Sequence, residues 1–392
     1  MLCRWKQKKG IFTKNHFHLF YVFSGINNLN MAENKVQPKV FIKSDIIILI
    51  AAALAIIFAG LAYYLKLNSV LAFLTSAFAV ALLASLVGRS VEQLGDRFGP
   101  GATGVLQSGL GNLPELFISI FALKAGLVAV VKAALVGSIL SNLLLVLGLS
   151  FFVGGLKHGT QKLGSDRART IVILMLLSVM ALALPSVAHW IHTPAAPHEK
   201  SFSLIVSIVL LLLFLLYLPA SLKRGKIGIN SDKNIASEPR WPIWLAVGLL
   251  TIASLLAAFV SDWFVTALQP SMKALNISDA FAGLVIVAIA GNAIENVVGI
   301  QLAAKNQSEY AFSVILNSPL QIALLLAPLL VIISQVFGLS TLTLVFSPML
   351  VTSLFVAILL AAFISFDGES NWLEGAALIA IYIIIATAFW WG

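Results

Sequence analysis

The chain has little of what a water-facing protein needs. Among its 392 residues only 10% are charged while 60% are hydrophobic. An average soluble domain carries about 25% charged residues, so no hydrated surface can be assembled from this composition. There is one cysteine, Cys3, which excludes a disulfide framework and a thiolate metal centre. Nothing in the sequence resembles a Ser/Lys dyad or a His/Glu zinc helix, so an intramembrane enzyme is the weakest class. Acidic residues are scarcer still, 16 against 25 Lys and Arg, leaving a net charge of +9. That excess would suit a nucleic-acid partner, but the basic residues lie between apolar runs rather than on one folded face, so no nucleic acid is expected.

What the chain does have is long apolar runs of the ~20-residue length of membrane-spanning helices. Eleven are expected, at roughly 45–65, 70–91, 101–123, 132–153, 170–190, 201–222, 241–264, 278–304, 309–335, 341–364 and 373–391. With a cytoplasmic N-terminus and strict alternation, 20 of the 25 Lys and Arg fall on the cytoplasmic face, as the positive-inside rule requires. Trp390 and Trp391 end the last run as interfacial anchors. Residues 1–44 form a basic tail without a signal-peptide pattern. Met31-Ala-Glu-Asn-Lys is an alternative start, which would make residues 1–30 an over-extension.

The informative exceptions are carboxylates inside apolar runs, where an ionisable group costs about 2.5–3.5 kcal/mol or more. Gly111-Asn112-Leu113-Pro114-Glu115 has a counterpart 180 residues later in Gly291-Asn292-Ala293-Ile294-Glu295. At the same offset Gly137-Ser138-Ile139-Leu140-Ser141-Asn142 falls on Asn317-Ser318-Pro319-Leu320-Gln321-Ile322. The longest internal hydrophilic break, 223–242, separates two sets of five spans. An odd number per set makes the halves inverted repeats, a common transporter plan with the site at the midplane. The expected architecture is therefore all-α and polytopic: a first helix at 45–65, one repeat over 66–222, a linker at 223–242 and a second repeat over 243–392.

Asn112 and Glu115, and likewise Asn292 and Glu295, are three residues apart and would share a helix face. Pro114 and Pro319 lack an N–H and would leave carbonyls free as ligands. Carboxylates, amides, hydroxyls and carbonyls make an all-oxygen set, which suits Ca²⁺ better than the small, reluctantly dehydrated Mg²⁺. Two ionised glutamates balance one divalent cation. Once it leaves, two adjacent carboxylates in low dielectric cannot both stay ionised, and protons are the simplest replacement. Such a pair titrates as a unit. Ser138, Ser141 and Asn142 serve equally as site residues or as interhelical glue. Glu92 and Asp96 read as an interfacial ion cluster with Arg89 and Arg97, and His189, His192 and His198 lie on or near an exposed loop.

At these residues the chain resembles the calcium/proton exchanger (CAX) family of the cation/calcium exchanger superfamily, over roughly residues 45–392. The stretch Gly111-Asn-Leu-Pro-Glu-Leu-Phe-Ile-Ser and the following Gly137-Ser-Ile-Leu-Ser-Asn are similar to that family's first signature. Asp367-Gly-Glu-Ser-Asn-Trp-Leu-Glu-Gly375 is similar to its last loop and span. The resemblance implies an antiporter with Glu115 and Glu295 as the cation-and-proton carboxylates. Asn112, Asn292, Ser318 and Gln321 would line the same site, and Glu92 would match an acidic position of the second span. The second signature departs from the pattern: Asn296 stands where the family has histidine, and Asn317-Ser-Pro-Leu-Gln321 replaces Gly-Ser-Ala-Thr-Gln. Asn296 cannot carry a proton, so sodium-coupled calcium or other metal exchange remains the alternative, with a channel behind it. The linker has no long acidic stretch that could act as a cytoplasmic calcium sensor. No cofactor is expected, only transported Ca²⁺ and H⁺; the expected setting is lipid, in a bacterial plasma membrane, with self-association open.

Overall fold

The computed structural model describes residues 40–98, 109–163, 166–228 and 240–391. Twelve helices fill them. They are α1 Lys43–Tyr64, α2 Ser69–Phe98, α3 Leu113–Lys124, α4 Val128–His158, α5 Asp166–Trp190 and α6 Glu199–Gly228 in the first half. The second half holds α7 Ile243–Leu275, α8 Asp279–Gly291, α9 Ala293–Ala304, α10 Ser308–Val336, α11 Pro348–Asp367 and α12 Trp372–Trp390. Among the described residues nine of these are long and apolar enough to cross a membrane. The other three, α3, α8 and α9, belong to the two runs that carry the Gly-Asn-x-x-Glu motifs.

Those two runs differ from the sequence expectation. The run expected at 278–304 is not one helix but two, α8 and α9, separated at Asn292. The run expected at 101–123 is interrupted in the same way at Gly111 and Asn112, with residues 101–108 outside the described set. Hydropathy measures compatibility with lipid, and an interruption buried in protein leaves no mark on it. A second difference lies at 341–347, expected as the start of a span. It is extended chain, with the helix beginning only at Pro348 behind the Ser347 cap. Its apolar residues Leu342, Leu344 and Phe346 are buried nonetheless. The break at 223–242 is also shorter than expected, since α6 continues through Gly228.

Polar contacts join helix ends that are far apart in the sequence, at ends that the Lys and Arg alternation assigns to two expected faces. On one face Gln161–Lys162 (β1) pairs antiparallel with Glu369–Ser370 (β2), and Gln161 donates to Asn306 Oδ1 at 3.1 Å. On the same expected face Asp45 of α1 binds Arg89 of α2 at 2.5 Å and Arg240, just before α7, at 3.4 Å. Arg89 thus has a carboxylate partner on another helix, Asp45, while the side chain of Asp96 lies outside the described residues. Arg97 donates to the Trp241 carbonyl at 2.5 Å, while Gln93 Oε1 accepts the N–H groups of Arg240 and Trp241 at 2.9 and 3.1 Å. On the other face Lys132 donates to the Val345 carbonyl at 2.6 Å, and Ser186 and Ser203 hold the backbone of Leu344 and Phe346.

Helices pair reciprocally across the halves: α2 with α7, α5 with α11, α4 with α12 and α10 with α6. In the α2–α7 pair Phe73 and Phe264 stack at 5.1 Å. The approach between α4 and α8 depends on glycine. A Cβ on Gly137 would collide with the backbone of Leu284, and one on Gly283 with the Val130 carbonyl. Small residues at such crossings let membrane helices touch through their backbones.

Candidate functional site

The site is built on the two helix breaks. Asn112, at φ −93° and ψ 16°, ends one stretch of chain and immediately precedes α3. Asn292, at φ −101° and ψ 19°, does the same between α8 and α9. Neither asparagine is helical, so the three-residue spacing to glutamate does not describe one helix face, as the sequence suggested. It counts from a helix cap to the third residue of the helix. Glu115 is therefore in the first turn of α3, where the unpaired N–H groups and the helix dipole favour an anion. Pro114 occupies the same turn, where a missing N–H breaks no bond. Pro319, by contrast, sits inside α10 and leaves the Ile315 carbonyl without its helical donor.

Glu115 is only 1% exposed. Its Oε1 accepts the hydroxyl of Ser138 on α4. Asn142, one turn along α4, donates to the Ser138 carbonyl at 2.9 Å and reaches Ser318 Oγ on α10 at 3.4 Å. The last residue of α8, Gly291, lies against Glu115: a Cβ there would stand 3.3 Å from Glu115 Cβ and 3.4 Å from Cγ. One motif's glutamate thus packs on the other motif's glycine, and Asn292 follows that glycine in the chain. Glu115, Ser138, Asn142, Ser318 and the Gly291-Asn292 break come from four helices and both halves.

Two amide oxygens in this group, Asn142 Oδ1 and Asn292 Oδ1, are buried without a hydrogen-bond partner. A buried acceptor left unpaired among the described residues costs about 1–3 kcal/mol, which coordination of a cation would offset. Gln321 is buried one turn beyond Ser318. Glu295 and Asn296 belong to the first turn of α9, with side chains outside the described residues. Glu92 is exposed between Arg89 and Gln93, at the face where α1 and α7 begin, not among the buried residues around Glu115. Ser141 is fully buried on α4, its hydroxyl without a hydrogen-bond partner among the described residues. His189 lies 3.5 Å from Glu199, and among the described residues no three His, Cys, Asp or Glu groups converge as a metal cluster.

Sequence reasoning missed Ser119, buried at 1% exposure one helical turn after Glu115. Its four-residue spacing from the carboxylate was the available signal. The π turns were missed as well: Ser141–Val146 in α4, Ala282–Val287 in α8 and Ile322–Leu326 in α10. Those of α4 and α10 occupy matching places at the 180-residue offset, and π turns recur at functional sites.

Interrupted apolar helices, packed reciprocally around a buried carboxylate, define a polytopic membrane transporter of the cation-exchanger fold. The chain belongs to the sodium/calcium exchanger protein family, whose model matches residues 68–223 and 245–391. It is similar to a Ca(2+)/H(+) antiporter of Aphanothece halophytica, 35% identical over 347 residues, spanning 84% of this chain and 92% of that one. It is also similar to the Ca(2+)/H(+) antiporter ChaA of Bacillus subtilis, 38% identical over 313 residues, 79% of this chain and 89% of that one. Among solved structures, native YfkE superposes with a TM-score of 0.75 at 34% identity, covering 88% of this chain and 99% of YfkE.

Proposed function

We propose that this protein is a secondary active antiporter that exports Ca²⁺, or a similar divalent cation, from the cytoplasm in exchange for H⁺. The observation that carries the reading is the Glu115 carboxylate, buried between Ser138 of its own half and Gly291 of the other. The names of the relatives, Ca(2+)/H(+) antiporters, support calcium and protons as the exchanged ions.

In this reading the cation enters between the two breaks. Glu115 and Glu295 supply its charge balance, and Asn142, Asn292 and Ser318 supply neutral oxygens. When the cation leaves, the carboxylates take up protons, because two adjacent negative charges in low dielectric are mutually unfavourable. The empty, unprotonated site is the state that the energetics disfavour, and this couples the two flows. The repeats 66–222 and 243–392, inverted about the membrane plane, would rock around the midplane site to expose it alternately. The first helix at 45–65 and the basic N-terminal tail would lie outside that symmetry, in a bacterial plasma membrane with the N-terminus cytoplasmic, a reading that the Lys and Arg bias supports.

The test is calcium-driven proton movement in proteoliposomes. Glu115→Gln and Glu295→Gln should each abolish it while the protein still inserts, and wild-type flux in either would overturn the assignment. Asn296, which stands where a histidine is expected, favours one second reading, sodium in place of protons as the coupling ion. Uptake driven by an imposed sodium gradient, and not by a proton gradient, would establish that reading instead.

A further inference from the structure

A groove of about 400 Å³, open along one side, runs between the start of α8 and the last turns of α12. Tyr382, Ile383, Ala386, Thr387, Trp390 and Trp391 form one wall, and Phe281 of α8 forms the other. The first six recur at the spacing of one helix face, and Ala386, in the middle of that strip, is its smallest residue. No charged group lines the groove. Of its two hydroxyls, that of Thr387 donates to the Ile383 carbonyl at 2.7 Å, and the Tyr382 oxygen is buried.

The same residues fasten α8 to α12. Ser278 accepts the Phe281 N–H at 2.9 Å, capping α8, and donates to the Phe389 carbonyl at 2.5 Å. Phe281 then meets Trp390 edge to face at 4.7 Å. The far end of α8 is Gly291, packed on Glu115. The groove thus stands where a helix of the cation site is attached to the last span.

What fills the groove follows from where it opens. Ile383 and its neighbour Ile384 are exposed apolar residues on a helix long and apolar enough to cross a membrane, so lipid covers this flank, and the groove continues it. Trp390 and Trp391 stand at its mouth, where aromatic rings mark the headgroup level. Tyr382 and Trp391 are nine residues apart, about 14 Å along a helix axis. One leaflet of a hydrocarbon core ~30 Å thick is about 15 Å deep. Length, polarity and opening therefore suit one acyl chain lying along α12, and an empty groove would forfeit the dispersion contacts its walls can make.

We propose that the groove between α8 and α12 holds one acyl chain of a membrane phospholipid. The chain completes the packing at the start of α8, the helix whose other end meets Glu115. This site is separate from the cation site and does not depend on which ions are exchanged.

The experiment uses the full-length protein, purified in detergent and washed until loosely held lipid is gone. Retained phospholipid is counted by native mass spectrometry, and the melting temperature is measured before and after adding dioleoyl phosphatidylcholine. Wild type should retain one phospholipid more than Ala386→Phe, whose ring fills the groove. Added phospholipid should raise the melting temperature of the wild type, as a ligand of the folded state does, and most of that rise should be lost in Ala386→Phe. Ile384→Phe, on the same helix but outside the groove, should behave as wild type. Glycerophosphocholine, the headgroup without its chains, should give no rise. Equal retention in wild type and Ala386→Phe, or an equal loss in Ile384→Phe, would overturn the proposal. So would a rise produced by glycerophosphocholine alone, which would assign the binding to the headgroup. Should Ala386→Phe not fold, Ala386→Leu carries the same prediction, and wild-type retention there overturns it.

Discussion

Replacing Gly291 by alanine probes the contact between the two motifs with a single methyl group. The new Cβ would lie 3.3 Å from Glu115 Cβ, 3.4 Å from Cγ and 3.6 Å from Cδ. Carbon atoms pack best at about 3.5–4.0 Å, so Glu115 or α8 must yield by a few tenths of an ångström. Overpacking of this mild kind costs about 1 kcal/mol, the low end of its range, and about fivefold in an equilibrium constant. The carboxylate keeps its charge and its Ser138 donor but is displaced from the place the cation requires. Exchange should therefore continue with the calcium KM raised about fivefold and the maximal rate nearly unchanged, unlike the complete loss expected of Glu115→Gln. The assay is the initial rate of proton movement in proteoliposomes over a calcium titration. Gly248→Ala is the control, since nothing lies within 4 Å of the added methyl; it should leave KM alone and slightly raise thermal stability, as Gly→Ala in a helix usually does. A wild-type KM in Gly291→Ala would refute the packing of one motif on the other.

Gly137→Ala should be far more damaging than Gly291→Ala, because its methyl meets the backbone of Leu284 rather than a side chain. We expect about 2–3 kcal/mol of destabilisation, read as a lower melting temperature of the detergent-solubilised protein. Asp45→Asn leaves Arg89 and Arg240 side by side without their shared carboxylate. It should cost about 1–3 kcal/mol of stability with the calcium KM unchanged, and a shifted KM would show that this latch is coupled to the site. Lowering pH on the side where calcium is loaded should raise its KM, with the maximal rate recovered at saturating calcium. A KM flat between about pH 6 and 8 would contradict competition at shared carboxylates.

Much of the architecture was legible because bilayer residence dictates composition. Long apolar runs announced the helices, whose ends meet in contacts such as Gln161 with Asn306 and Lys132 with Val345. The matched pentapeptides announced Glu115 and its company, since an intramembrane carboxylate demands an explanation. What stayed hidden depends on tertiary contact. The extended segment containing Leu342 and Leu344 is as apolar as a span, but its backbone bonds go to Ser334 and Ser203 instead of to its own carbonyls. Arg89 had acidic residues nearby in sequence, yet its partner Asp45 stands 44 positions away. The π turns have no composition of their own.

The helix breaks also explain why the motif is spelled Gly-Asn-x-x-Glu. Asparagine takes the non-helical cap conformation seen at both Asn112 and Asn292. Glycine ahead of it keeps the end of one helix clear of the carboxylate that packs there, as Gly291 does for Glu115. The glutamate then falls third in the new helix, where first-turn N–H groups stabilise its ionised form by about 0.3–1 kcal/mol, and up to about 2 when partly buried. Ahead of the second motif, α8 ends at Gly291 and so brings its carbonyl end, with the opposite sign of dipole, up against Glu115. On the proposed antiport reading this carboxylate trades a cation for a proton, whereas Asp45 keeps its pairing with Arg89 and Arg240 throughout the cycle.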